Sequence, residues 1–242
     1  AYDNPALKAG EMKKEEIAHQ VPSGMQAFVI NNRNPQFSDR RTRQALSLAF
    51  DYEWANKNLF YGLYNRMKSF YTNSAFASKG LPEGRELEIL NGYKDKLPPE
   101  IFTEEYKNPV TDGSGNNRDN LLKAKILLES AGWTLKDSKL VDKQGKQFEI
   151  EFLIDSPVFE RVFSNYIKNL ERLGITSNIR NVDSAQYQKR LEDFDFDITV
   201  KVFPQSLSPG NEQIDYWHSS RADVKGSRNV AGIKDKTIDE LV

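Results

Sequence analysis

The feature that most constrains this sequence is a run of alternating periods in its second half. Phe148, Ile150, Phe152 and Ile154 recur at every second position, the period of two that a strand requires. Phe159, Val162, Phe163, Tyr166, Ile167, Leu170 and Leu173 then recur at helical spacing, and Gly174 ends that helix. Ile175 to Ile179 reads as the next strand, Ser184 caps a helix through Leu191, and Phe196, Ile198, Val200 and Val202 form another strand. Strand, helix, strand, helix, strand implies crossover connections, so the class is α/β.

The first half supplies further elements. Met25 to Ile30 is a short apolar run closed by Asn31-Asn32-Arg33-Asn34-Pro35, which reads as a strand. Ser38 or Asp39 caps a helix through Phe50, with Ala45, Leu46, Ala49 and Phe50 as its apolar stripe. Asp51 caps a second helix with Trp54, Leu59, Phe60 and Leu63 toward the core, and Gly62 breaks it. Ser69 to Asn116 holds most of the turn formers and reads as a long connection with short helices. Asn117 or Asp119 opens a helix through Ala131, with Leu121, Leu122, Leu127 and Leu128 inward and Gly132 as its left-handed stop, before a strand at Leu140-Val141.

Composition removes several function classes. Lys and Arg total 34 against 35 Asp and Glu, a net charge of −1, so no global basic field is present to hold nucleic acid or an anionic membrane. Hydrophobic residues at 38% and aromatics at 11% are too many for a disordered polymer. No stretch approaches the roughly 18 apolar residues of a membrane span. With no cysteine and only His19 and His218, structural disulfides, thiol catalysis and Cys- or His-rich metal sites cannot be assembled. The first residues lack a signal peptide's pattern, and Thr237, as N-cap to Ile238, Leu241 and Val242, begins a helix where the sequence stops. A fragment of a longer protein is expected.

Each candidate for chemistry has a plainer reading beside it. Asp193, Asp195 and Asp197 alternate with Phe194 and Phe196, which would put the carboxylates on one strand face, as a glycoside hydrolase could use. Solvated or capping carboxylates at a strand entrance are the plainer account. Asp112-Gly-Ser114-Gly-Asn116-Asn117 has the look of a calcium loop, yet Asn117 stands sixth and Lys123 twelfth where Gly and Glu are needed, so a turn into a helix cap is expected. Arg33, Arg40, Arg41 and Arg43 could grip an anion, but Asp39, Asp51 and Glu53 lie close and favour a partly paired helix face. The aromatic stretch Phe50, Tyr52, Trp54, Phe60, Tyr61, Tyr64, Phe70, Tyr71 offers either a ligand wall or core packing. Phe203 to Gln213 is a polar, small-residue loop leaving the carboxyl end of a buried strand, the place where α/β sheets bind ligands. It carries amide, hydroxyl and carboxylate groups without a nucleophile and base pair, which suits recognition over covalent chemistry.

The stretch Phe28 to Asp51, with Asn34-Pro-Gln-Phe37-Ser-Asp39 before Arg43-Gln-Ala45-Leu46, closely resembles the extracellular solute-binding proteins, family 5, the receptors of oligopeptide and dipeptide ABC importers, and most of all their YejA-type branch. Supporting words are Leu59 to Tyr64, Gly84 to Leu90, Val110 to Asn117, Phe194-Asp-Phe-Asp197 and Ser206 to Gln213. The resemblance implies a periplasmic binding protein-like lobe with a mixed β-sheet flanked by helices, divided into a hinge-proximal lead-in at 1–25, the lobe at 26–204, and a cleft loop and return segment at 205–242. It further implies a monomeric periplasmic receptor, without enzyme activity, cofactor or metal, that closes two lobes on a peptide ligand and delivers it to an inner-membrane ABC permease. Ligand contacts would come from Phe203, Gln205, Ser206, Asn211 and Glu212. Ser206 stands where the resemblance implies an Asp for the peptide's α-ammonium, so either Glu212 substitutes or the ligand presents no free amino terminus there. Non-peptide or conjugated solutes are the alternative, and a hydrolase using Asp195 and Asp197 the remaining one.

Overall fold

Strands and helices follow one another much as the apolar periods require. The structure, a computed structural model, describes residues 4–242. In chain order the elements are α1 (Pro5–Lys8), β1 (Met25–Ile30), α2 (Arg40–Ala49), α3 (Tyr52–Leu59), α4 (Gly84–Asn91), α5 (Glu100–Thr103), α6 (Arg118–Ser130), β2 (Thr134–Lys136), β3 (Lys139–Val141), β4 (Glu149–Ile154), α7 (Val158–Arg172), β5 (Thr176–Asn181), α8 (Ser184–Glu192), β6 (Ile198–Phe203), α9 (Glu212–Trp217) and α10 (Lys236–Leu241).

A four-stranded mixed sheet, ordered β1-β6-β4-β5, organises them. β4 runs parallel to both β5 and β6, and β1 is antiparallel to β6 with Met25 opposite Phe203 and Ile30 opposite Ile198. The parallel arrangement sends the carboxyl ends of β4, β5 and β6 to the same side of the lobe. β2 and β3 form a separate hairpin.

The sheet is covered on both faces. Ile150, Phe152 and Ile154 of β4 pack with Phe37, Ala45 and Leu46, with Leu121 and Leu128, and with Phe163, Tyr166 and Leu170, so α2, α6 and α7 close this side. Leu153 points the other way, into a second cluster with Val29, Leu191, Phe196, Phe203, Tyr216 and Val230. Each fully buried Phe, Leu or Ile there contributes about 1.5–3 kcal/mol. Tyr166 is buried, and its hydroxyl donates to Leu46 O at 2.8 Å, so its polar end is satisfied inside the core. The second cluster takes in Tyr216 and Val230, beyond the expected lobe limit at residue 204.

Local geometry follows the chemistry of the caps and turns. Asp39 accepts from Arg41 N at the start of α2, and Asp51 from Trp54 N at the start of α3. At α8 the cap is Asp183, which accepts from Ala185 N and Gln186 N, so the expected Ser184 is the first helical residue instead. At α10 Asp235 caps, and Thr237 lies inside the helix. A carboxylate one or two residues earlier reaches the free N–H groups with full charge and displaces the hydroxyl from that role. Leu63 is exposed because α3 stops at Leu59, and Tyr61 and Gly62, both with positive φ, turn the chain away. Leu122 is also exposed, lying off the side of α6 that presents Leu121, Ala124 and Leu128 to the core. Gly174, at φ +81°, admits no side chain, since a Cβ would lie 2.8 Å from Leu140 N.

Candidate functional site

β6 ends at Phe203 because Pro204 has no N–H to continue the ladder. Residues 204–211 cross the carboxyl edge of the sheet, and α9 returns the chain beside it. Phe203 is only 4% exposed and sits beneath other rings. Phe70 meets it edge-on at 5.5 Å, Trp217 stacks on it at 5.6 Å and 20°, and Phe70 and Trp217 lie 4.7 Å apart. Tyr216 flanks the group at 5.8 Å and donates to Pro204 O. Phe70 and Trp217 are partly exposed and carry this aromatic group to the surface.

A polar rim surrounds the rings. Trp217 Nε1 donates to Gln213 Oε1 at 3.1 Å, and Gln213 Nε2 donates to Gln205 Oε1 at 2.7 Å and to Glu212 Oε1 at 3.2 Å. Gly210 N also donates to Glu212 Oε1, at 2.9 Å. That backbone N–H, followed by the helix-start N–H of Glu212 itself and the Gln213 amide, holds the Glu212 carboxyl below its ordinary range, so it is ionised at neutral pH. Ser206 folds back on its own loop, its Oγ donating to Ser208 O at 2.8 Å. Asn211 is exposed at the start of α9 and makes no side-chain cap bond. Gln205, Glu212 and Phe203 are therefore brought together around Gln213 and Trp217, while Ser206 and Asn211 lie on the loop's outer surface. Burial, then the Glu212 charge, raise the Tyr71 hydroxyl above its usual range. Trp217 lies beyond the loop singled out from sequence, and Gln213, the last residue of that loop, is absent from the expected ligand contacts. Their four-residue spacing on one helix turn was the available signal, but α9 has only six residues and little apolar period.

The other candidates resolve into structure. Asp193, Asp195 and Asp197 share no strand face, because β6 begins at Ile198 and Phe194 adopts φ +57°. Asp193 pairs with Lys189 and Lys225, and Asp195 with Arg190. Asp197 is half-buried without an ion-pair partner among the described residues, accepting from Asn34 Nδ2 at 2.6 Å and Glu151 N at 2.9 Å, and burial raises its carboxyl above the usual range. The arginines separate: Arg40 pairs with Glu100, Arg41 with Asp39, and Arg43 donates to Phe37 O and Ser38 O. Arg33 donates to Ala222 O, Asn229 O and Val230 O, and lies 3.6 Å over the Phe194 ring. The turn at 111–117 closes on itself through Ser114 N to Asp112 Oδ1 and Asn116 N to Ser114 Oγ. Asn117 reaches back to Leu48 O and Ala49 O rather than capping α6. His19 and His218 accept from nearby backbone N–H groups. Among the described residues no three His, Cys, Asp or Glu side chains gather as a metal site, and no helix is long and apolar enough to cross a membrane.

Comparison with known proteins gives this arrangement a context. The "Probable peptide-binding protein YejA" of Agrobacterium fabrum is 48% identical over 244 residues, covering 100% of this chain and 40% of the relative. The "Peptidoglycan-binding protein YepA" of the same organism is 36% identical over 243 residues. The chain spans about two-fifths of the length of the curated relatives it matches. The fold matches the periplasmic oligopeptide-binding protein of Thermotoga maritima with a TM-score of 0.63 at 16% identity, covering 94% of this chain and 39% of that one. It also matches the oligopeptide-binding protein AppA of Bacillus subtilis, solved with a nonapeptide, at 0.58 and 21%, covering 98% and 44%. Residues 2–224 match the family model described as "Bacterial extracellular solute-binding proteins, family 5 Middle", and with this match across most of its length the chain belongs to that family of substrate-binding receptors.

Proposed function

We propose that this chain forms one wall of the ligand cleft in a periplasmic receptor that captures oligopeptides and hands them to an inner-membrane ABC permease. The observation that carries the reading is the open carboxyl end of β6, where Phe70 and Trp217 reach the surface and Gln205, Gln213 and Glu212 rim them. Aromatic surface with a few fixed polar groups suits non-covalent capture, because the rings bury ligand area while the amides set its orientation. An extended peptide offers backbone N–H and C=O groups to such a rim. Phe203 backs the two outer rings, and closure of a second lobe over this edge would complete the site. The likeness to a relative named as peptide-binding supports the same reading. The receptor acts as a monomer and requires no cofactor or metal.

A second reading is a peptide joined to a non-peptide group. It is favoured by Ser206, whose hydroxyl is committed to Ser208 O, and by the relative named as peptidoglycan-binding. Native mass spectrometry of the full-length protein, purified without denaturation, separates the two. Co-purifying linear peptides support the first reading, sugar-bearing conjugates the second, and a bound solute with neither component overturns both.

A further inference from the structure

The amides beside Trp217 form a ladder whose direction is fixed. An indole N–H can only donate, so Gln213 must turn its Oε1 toward Trp217. That places Gln213 Nε2 toward Gln205, which must present its Oε1 to receive it at 2.7 Å. The alternative orientation of either amide would set donor against donor. Gln205 Nε2 is left at the end of the ladder, shielded from water and without an acceptor in the protein. The Tyr71 hydroxyl lies beside the Gln213 side chain, is likewise shielded, and makes no hydrogen bond of good geometry. As an ordinary tyrosine hydroxyl it is protonated at neutral pH, and burial, then Glu212, move its titration further up.

Both residues are only partly covered as wholes, so each donor lies close beneath the surface at the carboxyl end of β6. The acids nearby do not balance them. Glu212 Oε1 already takes Gly210 N and the Gln213 amide, and its carboxylate lies where solvent screens it. A cation held by such a group gains little, whereas satisfying a shielded donor gains more.

Resting on the peptide-receptor reading, we infer that the Gln205 amide and the Tyr71 hydroxyl bind an uncharged acceptor oxygen of the ligand, a carbonyl or hydroxyl, in place of a free ammonium. A peptide with an acylated amino end supplies such an oxygen, and so does a saccharide hydroxyl.

The test is competition binding by native mass spectrometry on the full-length protein after its ligand has been exchanged out. The probes are a randomised library of two- to six-residue peptides, the same library N-acetylated, and chito-oligosaccharides. Acetylation is expected to cost less than threefold in affinity. Gln205→Glu, which replaces the donor by a carboxylate of the same shape, is expected to weaken acetylated peptides at least tenfold while strengthening those with free amines. Tyr71→Phe is expected to weaken acetylated peptides about threefold, and the melting temperature of each variant checks its fold. Binding of saccharides with neither peptide set would sustain the acceptor assignment and remove the peptide reading. A tenfold preference for free amines, abolished by Glu212→Gln, would overturn the assignment while leaving the peptide reading intact. Binding of none of the three would remove both.

Discussion

The two ends of β6 are built from similar residues and treated in opposite ways. At the amino end Asn31 donates to Phe194 O and Phe196 O at 2.9 and 3.0 Å and accepts from Arg33, while Asp197 is answered by Asn34 and Glu151 N. At the carboxyl end a comparable set of amides finishes on Gln205 Nε2 and the Tyr71 hydroxyl, both without partners. Buried polar groups that are answered hold a fold in one geometry, and a shielded donor left over at a partly open strand end is available to an acceptor from outside, whereas the amino end leaves an acceptor short, Asn32 Oδ1. The first end behaves as scaffold, the second as a receiving surface.

The contrast can be broken most severely at Arg33. Arg33→Ala removes the donors to Ala222 O, Asn229 O and Val230 O, leaves those carbonyls short of partners, and should cost about 3–5 kcal/mol in denaturant unfolding. If the variant unfolds within 1 kcal/mol of the parent, the scaffold assignment of the amino end is wrong. Phe203→Ala should cost about 3–4 kcal/mol through the cavity left under Phe70 and Trp217, and should weaken ligand binding through the collapse of those rings. Normal stability with lost binding would instead make Phe203 a direct ligand contact.

Asp197 sharpens the comparison through pH. Its carboxyl titrates above the ordinary range in the fold, so the folded state holds the proton more tightly than the unfolded chain does. Its ionisation therefore lowers stability as pH rises through the folded value, and the loss is recovered on acidification. Asp197→Asn, measured against the parent by thermal melts from pH 4 to pH 7, should gain in relative stability as the pH rises; a constant difference would show that the carboxyl is not perturbed. The smallest expected effect is at the other end. Gln205→Ala should change stability by about 0.5 kcal/mol or less, because the residue is only partly covered, while ligand affinity falls. A large loss of stability there would move Gln205 into the scaffold.

Much of the scaffold was legible because it is written in periods. The helix from Val158 to Arg172, its stop at Gly174, and strands at Met25–Ile30 and Ile198–Phe203 follow from apolar spacing and turn residues alone. Leu153 shows where that reading thins: it falls off the alternating face of β4, and only the second layer of α8, α9 and the segment through Val230 explains its complete burial. The acidic triplet misleads for a related reason, since alternation predicts a shared face only while the chain stays extended, and the left-handed turn at Phe194 ends that condition. At the candidate site the sequence points to the loop after Phe203 through its polar composition and strand-end position. It does not reveal which amide faces which, because the order is imposed by one indole donor on a helix of six residues.

The pairing of β1 with β6 has a mechanical consequence. Met25 lies opposite Phe203, so the strand that opens the sheet and the strand that closes it have their outer ends side by side. Tension applied at those two points loads the six register pairs from Met25–Phe203 to Ile30–Ile198 one after another, as a zipper is opened, and not all at once in shear. The lobe should yield at low force when stretched from this edge and resist far more when stretched along β4 and β5, a difference that optical-tweezer pulling from paired attachment sites would register.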